Sequence, residues 1–301
     1  MRQANSLRSW CLCAVVLAAM ALPPMQPARA QSLGLGEPGD QTQIEVLADN
    51  GIEWMRDGKR FVARGNASAK RGDTTVYADT LTAHYRETDG GKSELWRLDA
   101  DGHTRIASPT ETATGDNAVY DIDSGVMVLT GKPVSKLVTP DTTITAKTSL
   151  EYWNLKRMAV ARGDAVVVRD QRRLQADTLT AYFADGATKK TAAKPARSGG
   201  TQGGDLETVD AFGHVVITTK TEVVTGDRGR YNLKTGVATI LDNVTLTRGT
   251  DSLKGQYAVV DMNSGVSTLY ARAPGAKTDK PAQVRGVFVP KKAEPVPGAT
   301  P

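Results

Sequence analysis

Cysteine occurs only at Cys11 and Cys13, and the 301 residues hold just three histidines and four phenylalanines. Beyond residue 13 there is therefore no disulfide framework, thiol nucleophile or thiolate zinc site. His84 sits at a polar strand position, and His103 and His214 each follow a turn glycine. That placement reads as structural. No P-loop or dinucleotide fingerprint lies between a strand and a helix, and no stretch has a convincing helical period. The aspartates recur at turn and outward positions, for example Asp121, Asp123 and Asp261, where carboxylates cap and solvate. Four phenylalanines are too few for the aromatic girdles of an outer-membrane porin. Catalytic residues, metal ligands and cofactors are all expected to be absent.

A long apolar run is also missing, except near the start. Arg2 and Arg8 precede the thirteen-residue stretch Trp10 to Leu22, and Ala28-Arg29-Ala30 fits a small-residue cleavage site. Thirteen residues are too few to span a bilayer. Residues 1–30 read as a secretory signal peptide. Its removal leaves 35 basic against 33 acidic residues, so the exported chain is nearly neutral although the calculated pI is about 9.1. That balance excludes nucleic acid as a partner.

What the chain does contain is one sentence written repeatedly. DNAVYDIDSGVMVLTG (Asp116 to Gly131) alternates apolar residues into a turn at Asp123-Ser124-Gly125 and out again, as a half-buried antiparallel hairpin does. GRYNLKTGVATILDN (Gly229 to Asn243) and GQYAVVDMNSGVSTLYA (Gly255 to Ala271) repeat it, and SLEYWNLKRMAVARG (Ser149 to Gly163) does so with Arg157 in place of the turn glycine. With Ala78, Gly115, Ala146, Ala176, Gly226 and Gly255 as equivalent anchors, the steps are 37, 31, 30, 50 and 29 residues. The long step contains a Gly/Ala/Lys-rich insertion at 185–205. A unit of this length cannot bury its apolar face alone, so neighbours must stack.

Seven residues after each anchor stand Tyr85, Ile122, Trp153, Phe183, Leu233 and Met262, one large apolar residue per repeat. Leu81 and its counterparts share that face by period two. Beyond the turn the face continues through Met127 and Leu129, Met158 and Val160, Ala238 and Ile240, Ser267 and Leu269. The expectation is an all-β fold of repeated antiparallel hairpins over 42–271. It is preceded by a flexible segment at 31–41 and followed by a Pro/Ala/Lys-rich disordered tail at 272–301, in which VRGVFVP (Val284 to Pro290) is either a weakly docking segment or a stray apolar patch. The oily face folds on itself into a flattened barrel or jelly roll, either an open trough for acyl chains or a closed scaffold core.

The export signal, the repeated ADTLTAHY and ADTLTAYF, and the copies TGDNAVYDIDSGVMVLTG and TGDRGRYNLKTGVATILDNV resemble the OstA-like domain of the LptA family of periplasmic lipopolysaccharide transport proteins. The resemblance covers roughly Thr42 to Ala271. It implies a twisted β-jellyroll of about sixteen strands, in the periplasm, that holds lipopolysaccharide by its acyl chains. It further implies a bridge, with possible head-to-tail self-association, between an LptC-like inner-membrane component and an LptD-like outer-membrane component. Carried onto this chain, the acyl contacts are Leu81, Tyr85, Ile122, Met127, Leu129, Trp153, Phe183, Leu233, Ile240 and Met262. Trp54 and Phe61 would lie at an inlet edge, and Val259 and Leu269 at an outlet edge. An LptC-like anchored component and a non-transport envelope scaffold are the alternatives. The insertion and tail are extras to the family pattern, and the tail is placed to cover the C-terminal edge.

Overall fold

Alternating β-branched and small residues between glycine turns give strands throughout, and no helix occurs among the described residues. The computed structural model describes residues 43–88, 93–184, 206–275 and 283–288. The expected leader, the segment at 31–41 and the insertion at 185–205 lie outside them. In chain order the strands are β1 (Ile44–Leu47), β2 (Ile52–Met55), β3 (Arg60–Arg71), β4 (Thr74–Glu87), β5 (Ser93–Asp101), β6 (Arg105–Ala107), β7 (Thr112–Thr114), β8 (Asn117–Asp121), β9 (Val126–Thr130) and β10 (Ser135–Val138). They continue as β11 (Thr142–Ala146), β12 (Ser149–Trp153), β13 (Met158–Arg169), β14 (Arg172–Phe183), β15 (Leu206–Thr218), β16 (Val223–Asn232), β17 (Val237–Arg248), β18 (Asp251–Asp261), β19 (Val266–Tyr270) and β20 (Arg285–Val287).

All pairings are antiparallel, and the registers resolve the twenty strands into a stack of fourteen rungs. Eight rungs are single long strands (β3, β4 and β13 to β18). The other six are split in two (β1/β2, β5/β6, β7/β8, β9/β10, β11/β12 and β19/β20). Fourteen rungs, six of them broken at their middle, give twenty strands where about sixteen were expected. Each rung bends at its middle, so the stack makes two facing layers, a floor and a roof.

One row on the floor runs Ile52, Ala63, Leu81, Ala100, Ala118, Leu129, Leu150, Ala161, Leu179, Ala211, Gly229, Ile240, Ala258, Leu269, each paired with the next. The facing roof row runs Val46, Ala69, Val76, Ile106, Ala113, Leu137, Ile144, Val167, Leu174, Ile217, Val224, Leu246, Leu253, Gly286. Small residues interleave with large ones along the floor row, which leaves room for the mostly branched aliphatic side chains of the roof row to pack against it.

The bends have their own chemistry. The residue pairs Gly65-Asn66, Gly102-His103, Gly163-Asp164 and Gly213-His214 all have positive φ, and the registers of β3, β13 and β15 shift there. A polar partner on the adjacent rung meets the second residue of each. Asn66 Nδ2 donates to Asp49 Oδ2 at 2.7 Å, Lys147 Nζ pairs with Asp164 at 2.5 Å, and His103 Nδ1 and His214 Nδ1 lie 2.8 Å from Asp79 and Asp177. Gly213 shows why glycine is needed. At φ 75° an added Cβ would also run into the Asp177 carboxylate. Gly213→Ala is therefore expected to cost about 1–3 kcal/mol in thermal or urea unfolding.

The same pairs give a pH dependence. Hydrogen bonding to Asp79 and Asp177, with the attraction of those carboxylates, raises the imidazole pKa of His103 and His214 above the ordinary value near 6.5. A raised folded pKa means the contribution is complete below the ordinary value and is lost as pH rises through the shifted one. NMR titration should show both imidazoles protonating above a free histidine, and Asp79→Asn should return His103 to the ordinary value.

Two segments depart from the sequence reading. Arg285–Val287, in the expected disordered tail, is a strand that pairs with Ser252–Lys254 on the roof half of β18. In the third repeat the faces are displaced by one. Tyr152 pairs with Met127 and is buried with it, so Trp153, with Val126 and Met158, points outward. Val160, opposite Glu151, takes the outer register too, although it is buried there. The cause is one extra residue in the bend: the floor row is met three residues after the other anchors but four after Ala146, at Leu150.

Candidate functional site: an apolar cavity at one end of the stack

The two layers are not equally close along the stack. Over β16 to β18 they meet in a closed core of Val224, Ala238, Ile240, Val244, Leu246, Ala258 and Val260. The middle is filled largely by alanines, among them Ala146, Ala165, Ala176 and Ala211, with Leu179 and Val215. At the β1/β2 end the layers part around a cavity of about 370 Å³. This lies in the range of about 300–1,000 Å³ usual for small-molecule sites.

The roof contributes Ile44, Val46, Ala69, Val76 and Ile106 to this cavity, and the floor contributes Ile52, Phe61, Leu81, Ala83, Tyr85, Leu98, Ala100, Tyr120 and Met127. Charged groups are limited to Arg71 and Asp99. At the mouth Trp54 stacks on Phe61 with centroids 5.4 Å apart, Phe61 meets Tyr85 at 5.2 Å, and Trp54 Nε1 donates to Tyr85 Oη at 2.9 Å. Trp54 is 55% exposed, and Ile52, two residues before it on the same strand, is exposed too. The result is an oily slot opening at a sheet edge, with almost nothing inside to hydrogen-bond a polar ligand.

Of the residues singled out from sequence, Leu81, Tyr85, Met127 and Phe61 line this cavity and Trp54 sits at its rim. Leu129 is buried in the adjoining core, and Ile122 and Phe183 pack against it. Ile240 belongs to the closed core, with Met262 and Leu269 packed around it. Leu233 is half-buried at a floor tip, where its N–H donates to the Glu207 carbonyl.

Two placements are corrected. Trp153 lies on the outer face, where its Nε1 donates to Glu151 Oε2 at 3.1 Å and Lys156 sits 4.4 Å over its ring. Burial alone would raise the Glu151 carboxyl, but hydrogen bonds from Arg162, Trp153 and Ser149 hold it below the usual range. Val259 is also outward, opposite Thr239 and Thr268, and sits on β18 rather than on the edge strand β19.

The roof wall of the cavity is built from residues upstream of the repeat anchors, outside the downstream positions that define the repeat. Its signal is the period-two pattern upstream of them, as in Ile44-Val46 or Thr74-Val76-Ala78.

A model of the family described as LptA/(LptD N-terminal domain) LPS transport protein matches the chain twice in tandem, over residues 45–148 and 143–266. The chain belongs to this family of Lpt-type transport proteins. The two matches meet at the rung of β11 and β12, so the first LptA/LptD N-terminal unit contains the cavity and the second contains the closed core. Among solved structures the chain is similar to LptH of Pseudomonas aeruginosa, described as the LptA-homologous periplasmic component of the lipopolysaccharide transport device. Identity is 18%, over 50% of this chain and 95% of that one, with a TM-score of 0.39, an overlap too partial to add to the family assignment. No curated protein matches at a significant level. Among the described residues no three of His, Cys, Asp and Glu cluster to hold a metal ion, and no helix is long and apolar enough to cross a membrane.

Proposed function

We propose that this chain binds lipopolysaccharide by its lipid A acyl chains in the cavity at the β1/β2 end and carries it across the periplasm, without catalysis. The observation that carries this reading is the cavity itself, an apolar slot between two layers with its mouth at an open sheet edge. Burying alkyl chain there is favourable at about 25 cal/mol per Å², while sugars and phosphates stay in water outside the mouth. The leader is removed after Ala30, and the exported domain forms part of a bridge.

In that bridge the exposed edge of β1 and β2 receives the LptC-like inner-membrane component, or a preceding copy, by strand addition. The β19 edge is presented to the LptD-like component or the next copy. Leu81, Tyr85, Met127 and Phe61 are the acyl contacts in the state described, and Ile122, Leu129, Phe183, Leu233, Ile240 and Met262 become contacts only when the layers separate further.

A photo-crosslinking amino acid at Phe61 in living cells is expected to capture lipopolysaccharide, and the same residue at Trp153 is not. Equal capture at the two positions, or none at Phe61 in folded, exported protein, would remove the cavity as the lipid site and leave an envelope scaffold.

A further inference from the structure

At the closed end of the stack a buried carboxylate ties the roof to the last strand of the floor. Glu222 stands at the roof tip between β15 and β16, where the equivalent tips carry Thr142 and Arg172 and, between β6 and β7, a second buried carboxylate, Glu111. Glu222 is 8% exposed. Its Oε1 accepts a hydrogen bond from Ser267 Oγ at 2.8 Å, and its Oε2 accepts one from Arg248 Nη2 at 2.9 Å. Arg248 is its neighbour on the roof. Ser267 is 45 residues away on β19, the last strand of the floor, where it pairs with Val260. The three groups join the roof tip to the floor edge strand.

Burying a carboxylate is costly unless it is fully partnered, and breaking such a pair releases the cost. An aliphatic residue at the tip would close the layers without that sensitivity. We infer that Glu222, Ser267 and Arg248 form a latch that shuts the β18/β19 end of the interior, so that acyl chains held in the β1/β2 cavity cannot reach Met262 and Leu269 until the latch opens. This rests on the carrier reading above. The latch partner on β19 is also the edge at which strand addition is proposed, so a partner pairing with β19 acts directly on the strand that carries Ser267.

The test uses the exported chain, which lacks the two cysteines. Glu222→Cys and Ser267→Cys are joined by a short cleavable thiol-reactive linker, because the two side chains together span too far for a disulfide. A photo-crosslinker is placed at Phe61 or at Met262, and purified lipopolysaccharide is the probe. With the linker intact, capture at Phe61 should stay within about twofold, and capture at Met262 should fall at least about tenfold and recover on cleavage, a tenfold change being about 1.4 kcal/mol. Glu222→Ala should raise capture at Met262 several-fold.

Equal capture at Met262 with the linker intact and cleaved would overturn the latch. So would capture at Phe61 with none at Met262 in any form, including Glu222→Ala. Absence of capture at Phe61 in every form would instead overturn lipid carriage, and the latch with it.

Discussion

Ile240→Asp is expected to unfold the β16 to β18 region rather than to leave a folded protein with weakened lipid binding. Ile240 is 0% exposed and lies in the closed core with Val224, Ala238, Val244 and Ala258. Its seat is specific. An added Cβ on Gly226 would collide with Ile240 Cγ2, so glycine at that anchor makes the room this side chain fills. Removing the aliphatic bulk alone costs about 2–5 kcal/mol, and an unpaired carboxylate in its place adds several more. Against a total stability of about 5–15 kcal/mol, most or all is lost. Circular dichroism and urea unfolding of the purified variant check this, with Thr239→Glu on the outer face, beside Arg230, as a control that stays folded. A folded Ile240→Asp protein that merely binds lipid less well would mean that this stretch is the wall of an open trough.

Ile240 and Leu81 occupy the same register of the same row, and nothing in their sequence surroundings tells them apart. The alternation that places both inward was legible. It assigned Tyr85, Ile122, Phe183, Leu233 and Met262 correctly, because a pleated strand has a strict period of two and the repeats agree with one another. It failed at Trp153 because one extra residue in the Ala146–Leu150 bend flips every later side chain of that hairpin, and no local pattern marks the insertion.

Whether an inward residue meets a neighbour or a cavity depends on how far apart the layers stand. That distance is set by residues in the opposing layer, such as Ile106 or Val224, far away in sequence. β20 was hidden for a related reason. VRGVFVP sits in Pro- and Lys-rich surroundings whose composition reads as disorder, and its strand partner is 33 residues upstream, at Ser252–Lys254. The bend pairs are half visible: Gly102 and Gly213 read as turn glycines and His103 and His214 as structural, but the aspartate partners of the histidines lie a full rung away.

Ala83→Glu should give the largest functional loss without loss of fold. Ala83 is half-buried on the cavity floor between Phe61 and Leu98, close to the mouth. A glutamate there reaches water through the opening in the empty protein, so the folding cost is small and the unfolding midpoint stays close to that of the parent. Lipid changes the balance. An acyl chain seated in the cavity would strip water from the carboxylate, a cost of several kcal/mol for an ionised group without a partner. Each 1.4 kcal/mol is about tenfold in affinity, so lipopolysaccharide retention by the purified exported chain should fall by about a hundredfold or more.

The sign can be tested further with acid. Protonating the new carboxylate removes most of the penalty, so retention by Ala83→Glu should recover as pH falls through the range of an ordinary glutamate, near 4.3 or somewhat higher in this apolar setting. Ala83→Gln, polar but uncharged, should lose far less at neutral pH. Retention unchanged in Ala83→Glu would place the acyl chains elsewhere, whereas a loss that acid does not recover would point to distortion of the slot rather than to a charge on its wall.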